Sequence, residues 1–511
     1  MKKRLSLFMV ATILLSFLVL TVSCKKDESV DPSLSNPNKY VNNWIHEQMT
    51  IYYYWENKLP KSPNFSLAPT DFFGTLLNKF DKNTNPDGDR FSWIQENYVD
   101  LLNALSGVSS NEIGFEYVRY SISPDNVTPK QYYLLVLYPK LNTDAYAKGV
   151  KRGRFIAKID NQDITDNNIH SLVSGTGTKE LTFTDRIYNN EEKRYEFKLS
   201  PNKITIQTHK NFAENPIYLD SVYTINDKKI GYLVYNFFAK DKGDETYAYD
   251  KQLMNTLEGI KSKGASEFVL DLRYNGGGAV SSAIALASAL VKNRSTQNLI
   301  MTTEYNATLS NYFKKRYGDE YNKDYFTDKV VKISYDESGK EAGRSDIASV
   351  PALNLSRLHV LTSRWTASAS ELIINGLKPY MDVITIGETT VGKNVGSFTL
   401  FEKEDPKNKW GMQPITFRYF NSNGKSDFYT GFVPDHEINI LENMVSFGET
   451  EDPYLNKALS LITGASVAPN ARMAKENLDS GLRIENNSAS MKITEMYDDR
   501  RQEAIKKLIE K

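Results

Sequence analysis

The chain has 511 residues, 40% of them apolar and 25% charged, enough for roughly two to four domains with real cores. Basic and acidic residues balance at 63 each, so the net charge is zero, which argues against nucleic acid as the main partner. One cysteine excludes an internal disulfide and a zinc cage. The five histidines (His46, His170, His209, His359 and His436) show no metal-ligand spacing, so no metal or other cofactor is expected.

The first element is a signal peptide over residues 1–23. Lys2, Lys3 and Arg4 precede an apolar run from Leu5 to Thr21, and small residues follow. The run is at the short limit for spanning a bilayer. Cys24, followed at once by Lys25-Lys26-Asp27-Glu28, resembles a bacterial lipoprotein signal. That resemblance implies a lipidated Cys24 and a bacterial cell-envelope location, at the outer membrane on its periplasmic or surface face. Residues 24–37 are then a lipidated polar tether.

Residues 38–106 read as a small helical domain. Trp44, Ile45, Met49 and Tyr52 recur at helical spacing, and Phe91–Leu105 returns to it after a polar loop over Phe80–Arg90. The aromatic run Tyr52-Tyr53-Tyr54-Trp55 reads as core packing. Residues 107–201 read as short strands and turns, with a buried strand at Tyr132–Leu137 and a short glycine-closed helix at Ala145–Gly153. This series resembles a PDZ domain. The resemblance implies capture of polypeptide C-termini by strand addition, with Ile113-Gly114-Phe115 as the carboxylate loop.

From residue 202 to 464 strands and helices alternate, an α/β layer pattern. Expected helices are Tyr247–Ser262, Ala279–Leu290 and Ala369–Leu377. Expected strands include Ile230–Phe238, Glu267–Leu272, Leu358–Leu361 and Val383–Ile386. A polar, tyrosine-rich insert over 293–350 interrupts the series, and 465–511 read as a polar extension ending in a charged helix. The fold class expected is therefore α/β plus a β-rich module.

Three segments of the 202–464 region carry chemistry. Asp271-Leu272-Arg273-Tyr274-Asn275-Gly276-Gly277-Gly278 ends a buried strand in glycines whose backbone can approach a substrate closely. Ser368 opens an apolar helix within Thr366-Ala367-Ser368-Ala369-Ser370-Glu371. Lys393 follows a strand in Gly387-Glu388-Thr389-Thr390-Val391-Gly392-Lys393. A serine hydroxyl needs a base, and a lysine can be that base only when neutral. Gly277 or Gly278, with Ala369, would supply oxyanion N–H donors. Taken alone, Ser368 and Glu371 also fit a helix capping box. A Ser–His–Asp triad would need His359 or His436, for which core or loop positions are the simpler reading.

These segments, with the PDZ-like stretch and Gly431-Phe432-Val433-Pro434-Asp435, resemble the C-terminal processing peptidases, or tail-specific proteases, in the family's order over 107–464. The resemblance implies a crotonase/Clp-like catalytic domain gated by a PDZ domain. It implies Ser368 as nucleophile and Lys393 as general base. Ser397 stands where the family often has a glutamine that orients the lysine, so Glu371 or Ser397 takes that role. The function expected is a membrane-anchored serine endopeptidase that recognises polypeptides by their C-terminal tails. The competing class is a degenerate peptide-binding lipoprotein that uses only the PDZ-like groove. The sequence fixes no oligomeric state.

Overall fold

The computed structural model describes residues 37–122, 131–191, 194–336, 340–439, 444–464, 482–489, 496–502 and 505. The expected signal peptide and Cys24 lie outside these residues.

A six-stranded sheet forms the centre, in the order 217–225, 228–235, 267–271, 357–362, 382–387 and 436–437. The first pair is antiparallel and every other pair parallel. Parallel strands are covered on both faces, so Phe268-Val269-Leu270 is a continuous apolar run with no exposed member. The helices Ala248–Ser262, Val280–Leu290 and Ala369–Leu377 contribute to the core on one face, and Pro453–Thr463 to that on the other.

The N-terminal helices Pro37–Tyr52 and Pro69–Leu76 have no core of their own. Val41, Trp44, Ile45, Met49, Tyr52, Tyr53 and Phe72 join the same apolar cluster as Leu270, Leu286 and Leu372. Residues 38–106 are therefore built into the central layer. The stretch 91–105 is not one helix. Trp93–Gln95 is a strand paired with Gly411–Gln413, and the helix runs from Tyr98 to Leu105.

The β-rich module has its own core around Phe115, Leu134, Val136, Ile156, Leu181, Phe183 and Ile206. Its last hairpin strand, Arg194–Gln207, runs past the boundary expected at 201. The strand Phe115–Ile122 pairs on one side with Gln131–Pro139 and on the other with Leu482–Ala489. The C-terminal stretch is thus no appendage. It closes the edge of this sheet, and beyond it Met496 and Ile505 enter the central core. The tyrosine-rich insert is also integrated, since its strand Leu299–Tyr305 pairs with Ile415–Asn421.

One buried charge network joins the module to the sheet. Arg273 donates to both Asp271 and Asp452, and Arg152 of the module reaches Asp452 at 3.1 Å. Asp452 also caps the helix Pro453–Thr463, accepting from Tyr454 and Leu455 N–H. Burial acts to raise its carboxyl, but Arg273 and Arg152 outweigh it and hold the group below the usual carboxylate range.

Candidate active site

Ser368 occupies the N-cap position of the helix Ala369–Leu377 with φ 64° and ψ −116°. A non-glycine residue there stores strain and persists only where the surroundings hold it. The surroundings are specific. Ala367 N–H donates to Asn275 O at 3.2 Å, and Ser370 Oγ donates to the same oxygen at 3.0 Å. Asn275 Nδ2 is tied to Tyr235 O at 2.9 Å. The glycine run after the buried strand is thereby fastened to the helix that Ser368 opens.

Glu371, one turn into that helix, gathers four donors on two oxygens. Ser368 N–H and Lys393 N–H each reach Oε2 at 2.8 Å. Gly392 N–H at 2.7 Å and Thr390 Oγ1 at 2.6 Å reach Oε1. One carboxylate thus brings the backbones of Ser368 and Lys393 together across a stretch of sequence that separates them. Burial pushes the Glu371 carboxyl up, and its four donors pull it back. The acid therefore serves the backbone and the Thr390 hydroxyl, and none of its hydrogen bonds goes to Lys393 Nζ.

Ser368 and Lys393 have no exposed surface, and Ser368 Oγ donates to no group among the described residues. Such a buried hydroxyl is costly unless something is to bind it. The ring of Phe91 faces Lys393 Nζ, 5.0 Å from its centroid. The loop carrying Lys393 crosses the segment Tyr429–Gly431 at backbone contact. A Cβ on Gly392 would lie 2.4 Å from Tyr429 O, and one on Gly431 would lie 2.0 Å from Thr390 O.

The glycine run narrows the oxyanion donors. Gly277 N–H is spent on Asn275 Oδ1 at 2.9 Å, so Gly277 is not a donor. Gly278 N–H and Ala369 N–H have no acceptor among the described residues. Gly278 (φ 132°) also passes so close to Phe238 that a Cβ would lie 2.0 Å from its carbonyl oxygen.

Ser397 is buried, but its hydroxyl donates to Gln413 Oε1 at 2.5 Å, and Gln413 Nε2 donates to Thr399 Oγ1 at 2.7 Å. Its proton is therefore spent on Gln413. His359 is fully buried in the strand 357–362, and burial pushes it down to about 4, the behaviour of a neutral core residue. In the module, Ile113 and Phe115 are core residues. Gly114 N–H donates to Glu112 Oε1 at 2.8 Å, so its donor is occupied. A cavity of about 440 Å³ lies between module and sheet, bordered by Gly276, Tyr274, Asn236, Glu116 and Lys140. Among the described residues no group of three or more His, Cys, Asp or Glu could hold a metal ion.

Sequence reasoning missed Asn275, Thr390, Gln413 and the pair Arg90–Phe91. Asn275 and Thr390 stand inside the segments singled out above but had no role there, and Gln413 and Arg90–Phe91 carry no local pattern, because their partners lie far along the sequence.

Two family models match the protein: the peptidase S41 N-terminal domain over residues 40–93 and peptidase family S41 over 229–438. A carboxyl-terminal-processing protease of Picosynechococcus sp. (strain ATCC 27264 / PCC 7002 / PR-6) is 25% identical over 318 residues, covering 61% of this chain and 62% of that protein. A carboxy-terminal processing protease of Bacillus subtilis (strain 168) is 25% identical over 301 residues, covering 58% and 51%. The protein thus spans less than two thirds of the length of either curated relative. A crystal structure from Bacteroides fragilis NCTC 9343, described as an S41 protease, superposes with a TM-score of 0.64 at 25% identity, covering 82% of this chain and 97% of that one.

Proposed function

We propose that this chain, which belongs to peptidase family S41, is a serine endopeptidase that cuts polypeptides through a Ser368–Lys393 dyad. The observation that carries the reading is the shared Glu371 carboxylate, which holds the backbones of Ser368 and Lys393 together.

In this reading Ser368 Oγ attacks the scissile carbonyl carbon and its proton passes to neutral Lys393 Nζ. Removal from water favours the neutral form of an amine, and Lys393 has no exposed surface. Gly278 and Ala369 N–H groups take the oxyanion, helped by the positive end of the helix Ala369–Leu377. Lys393 then protonates the leaving amine, and water assisted by Lys393 releases the acyl group from Ser368. The cavity beside Gly276 gives the polypeptide a place to lie. Because both dyad residues are sealed, substrate entry requires a local opening.

Substrates present their C-terminal tails to the β-rich module, as the PDZ resemblance implies. The strand Phe115–Ile122 has both edges paired, so a tail adds there by displacing Leu482–Ala489. The protein is lipid-anchored through Cys24 at the bacterial outer membrane. This rests on the sequence pattern around Cys24.

The test is digestion of unfolded casein and of peptides with free or amidated C-termini. Ser368→Ala and Lys393→Ala each abolish turnover, and the double variant is little worse than either single one. Free-acid peptides are cut faster than amides. Full turnover by Lys393→Ala overturns the dyad.

A further inference from the structure

The loop that carries Lys393 is gripped from two sides, and only one grip comes from the catalytic helix. Glu371 takes the N–H groups of Gly392 and Lys393. On the carbonyl side stands Arg90, from the turn that leads into the strand Trp93–Gln95. Its Nη2 donates to Gly392 O at 2.9 Å and to Tyr429 O at 2.8 Å, with Val391 O at 3.4 Å. The guanidinium therefore sits where the loop of Lys393 crosses the Tyr429 segment, and it neutralises carbonyl oxygens from both.

The turn that delivers Arg90 is itself fixed. Phe91 and Ser92 N–H groups each donate to Asp89 Oδ1 at 2.9 Å, and Tyr53 OH donates to Asp89 Oδ2 at 2.9 Å. Phe80 and Phe91 flank the guanidinium, with ring centroids 4.9 and 4.7 Å from its carbon. Phe91 also turns its ring toward Lys393 Nζ. Adjacent residues of one turn thus touch the backbone before Lys393 and the amine of Lys393. A purely structural pin would need neither the convergence on Gly392 nor the shared ring.

We propose that Arg90, with Phe91, is a positioning residue for the general base: it fixes the carbonyl face of the Lys393 loop and so sets where Nζ is held relative to Ser368 Oγ. The inference rests on the reading of Lys393 as base. Arg90 keeps part of its side chain in solvent and contributes nothing to the apolar core, so its loss leaves that core intact.

Arg90→Ala, Arg90→Lys and Phe91→Leu are compared with the wild type in three measurements: peptide turnover, labelling of Ser368 by a fluorophosphonate, and hydrogen exchange of residues 388–394. Arg90→Ala is expected to lower kcat and the labelling rate about 10- to 100-fold, with KM within about twofold, as misplacement of a reacting group does. Exchange over 388–394 rises, and the helix Ala369–Leu377 stays protected. Arg90→Lys recovers part of the rate, since an ammonium keeps the charge but not the planar fork. Phe91→Leu gives a smaller loss of kcat and covers the case in which Arg90→Ala misfolds. Unchanged kcat in folded Arg90→Ala, a loss confined to KM, or unchanged exchange overturns the proposal. If the wild type cuts no peptide and Ser368 does not label, the protease reading falls, and the exchange measurement still decides whether Arg90 orders the loop.

Discussion

Glu371 offers two oxygens to three backbone N–H groups and a hydroxyl, and nothing but a carboxylate has the acceptor capacity for all four. Glu371→Gln keeps the shape but turns one oxygen into a donor that faces two other donors. The expected outcome is a fall in kcat of about 10²-fold, since Ser368 and Lys393 lose their common tether. Steady-state kinetics on a folded variant checks it, and an active Glu371→Gln enzyme would show that the tether is dispensable. Half of this arrangement was legible in the sequence. Ser368 and Glu371 have the spacing of a capping box, and the Ser368 N–H to Glu371 bond is one half of that box. The other half joins Glu371 to Thr390, Gly392 and Lys393, and no periodicity announces a contact between a helix and a loop beyond the next strand. The bond from Ser397 to Gln413 was out of reach for the same reason, because Gln413 arrives on a distant strand.

Helix Ala248–Ser262 packs Asp250 against helix Val280–Leu290, where Ser282 Oγ donates to its Oδ1 at 2.6 Å and its Oδ2 is left without a partner. Burial, with Asp499 and Asp241 nearby, pushes this carboxyl up to about 7. The unfolded group titrates near pH ~3.9. A raised folded value means that the folded protein holds an extra proton between those limits. The associated stability is complete below pH ~3.9 and is lost as pH rises through about 7. Asp250→Asn removes the titration, so its stability advantage over the wild type should grow from pH 4 to pH 8 and then level off. A shift of that size is linked to at most about 4 kcal/mol. Urea unfolding across that range measures it, and a constant difference between the two proteins would refute it. The helices at 248–262, 280–290 and 369–377 were readable because their apolar spacing agrees with their burial. The strand Trp93–Gln95 was not. Its residues suit helical spacing, and pairing with Gly411–Gln413 overrides local preference.

The molecule as a whole is tied across its layers by Asp452, Arg273 and Arg152. Removing one member strands the others in a dry interior, so Asp452→Ala should cost roughly 3–5 kcal/mol near neutral pH. Because the folded carboxyl is held below its usual range, this contribution is complete above pH ~3.9 and is lost as pH falls through the depressed value. The stability gap between wild type and Asp452→Ala should therefore narrow below pH 4. A gap that stays constant into acid would mean that the network contributes nothing through ionisation. The sequence made the central alternation readable, and it misread its own last part as a polar extension. A segment that completes strands laid down hundreds of residues earlier shows no pattern of its own.

That segment sets the order in which the molecule becomes competent. Tyr497 N–H reaches Gly278 O, Val280 N–H reaches Tyr497 O, and Ser397 N–H reaches Met496 O. A ribosome delivers these residues after everything they brace, and domains fold from the N-terminus as they emerge. Until Met496 and Tyr497 have emerged and docked, the glycine loop next to Ser368 therefore lacks this backbone support. Under the proposed dyad, the Gly278 N–H donor reaches its final place only after that docking.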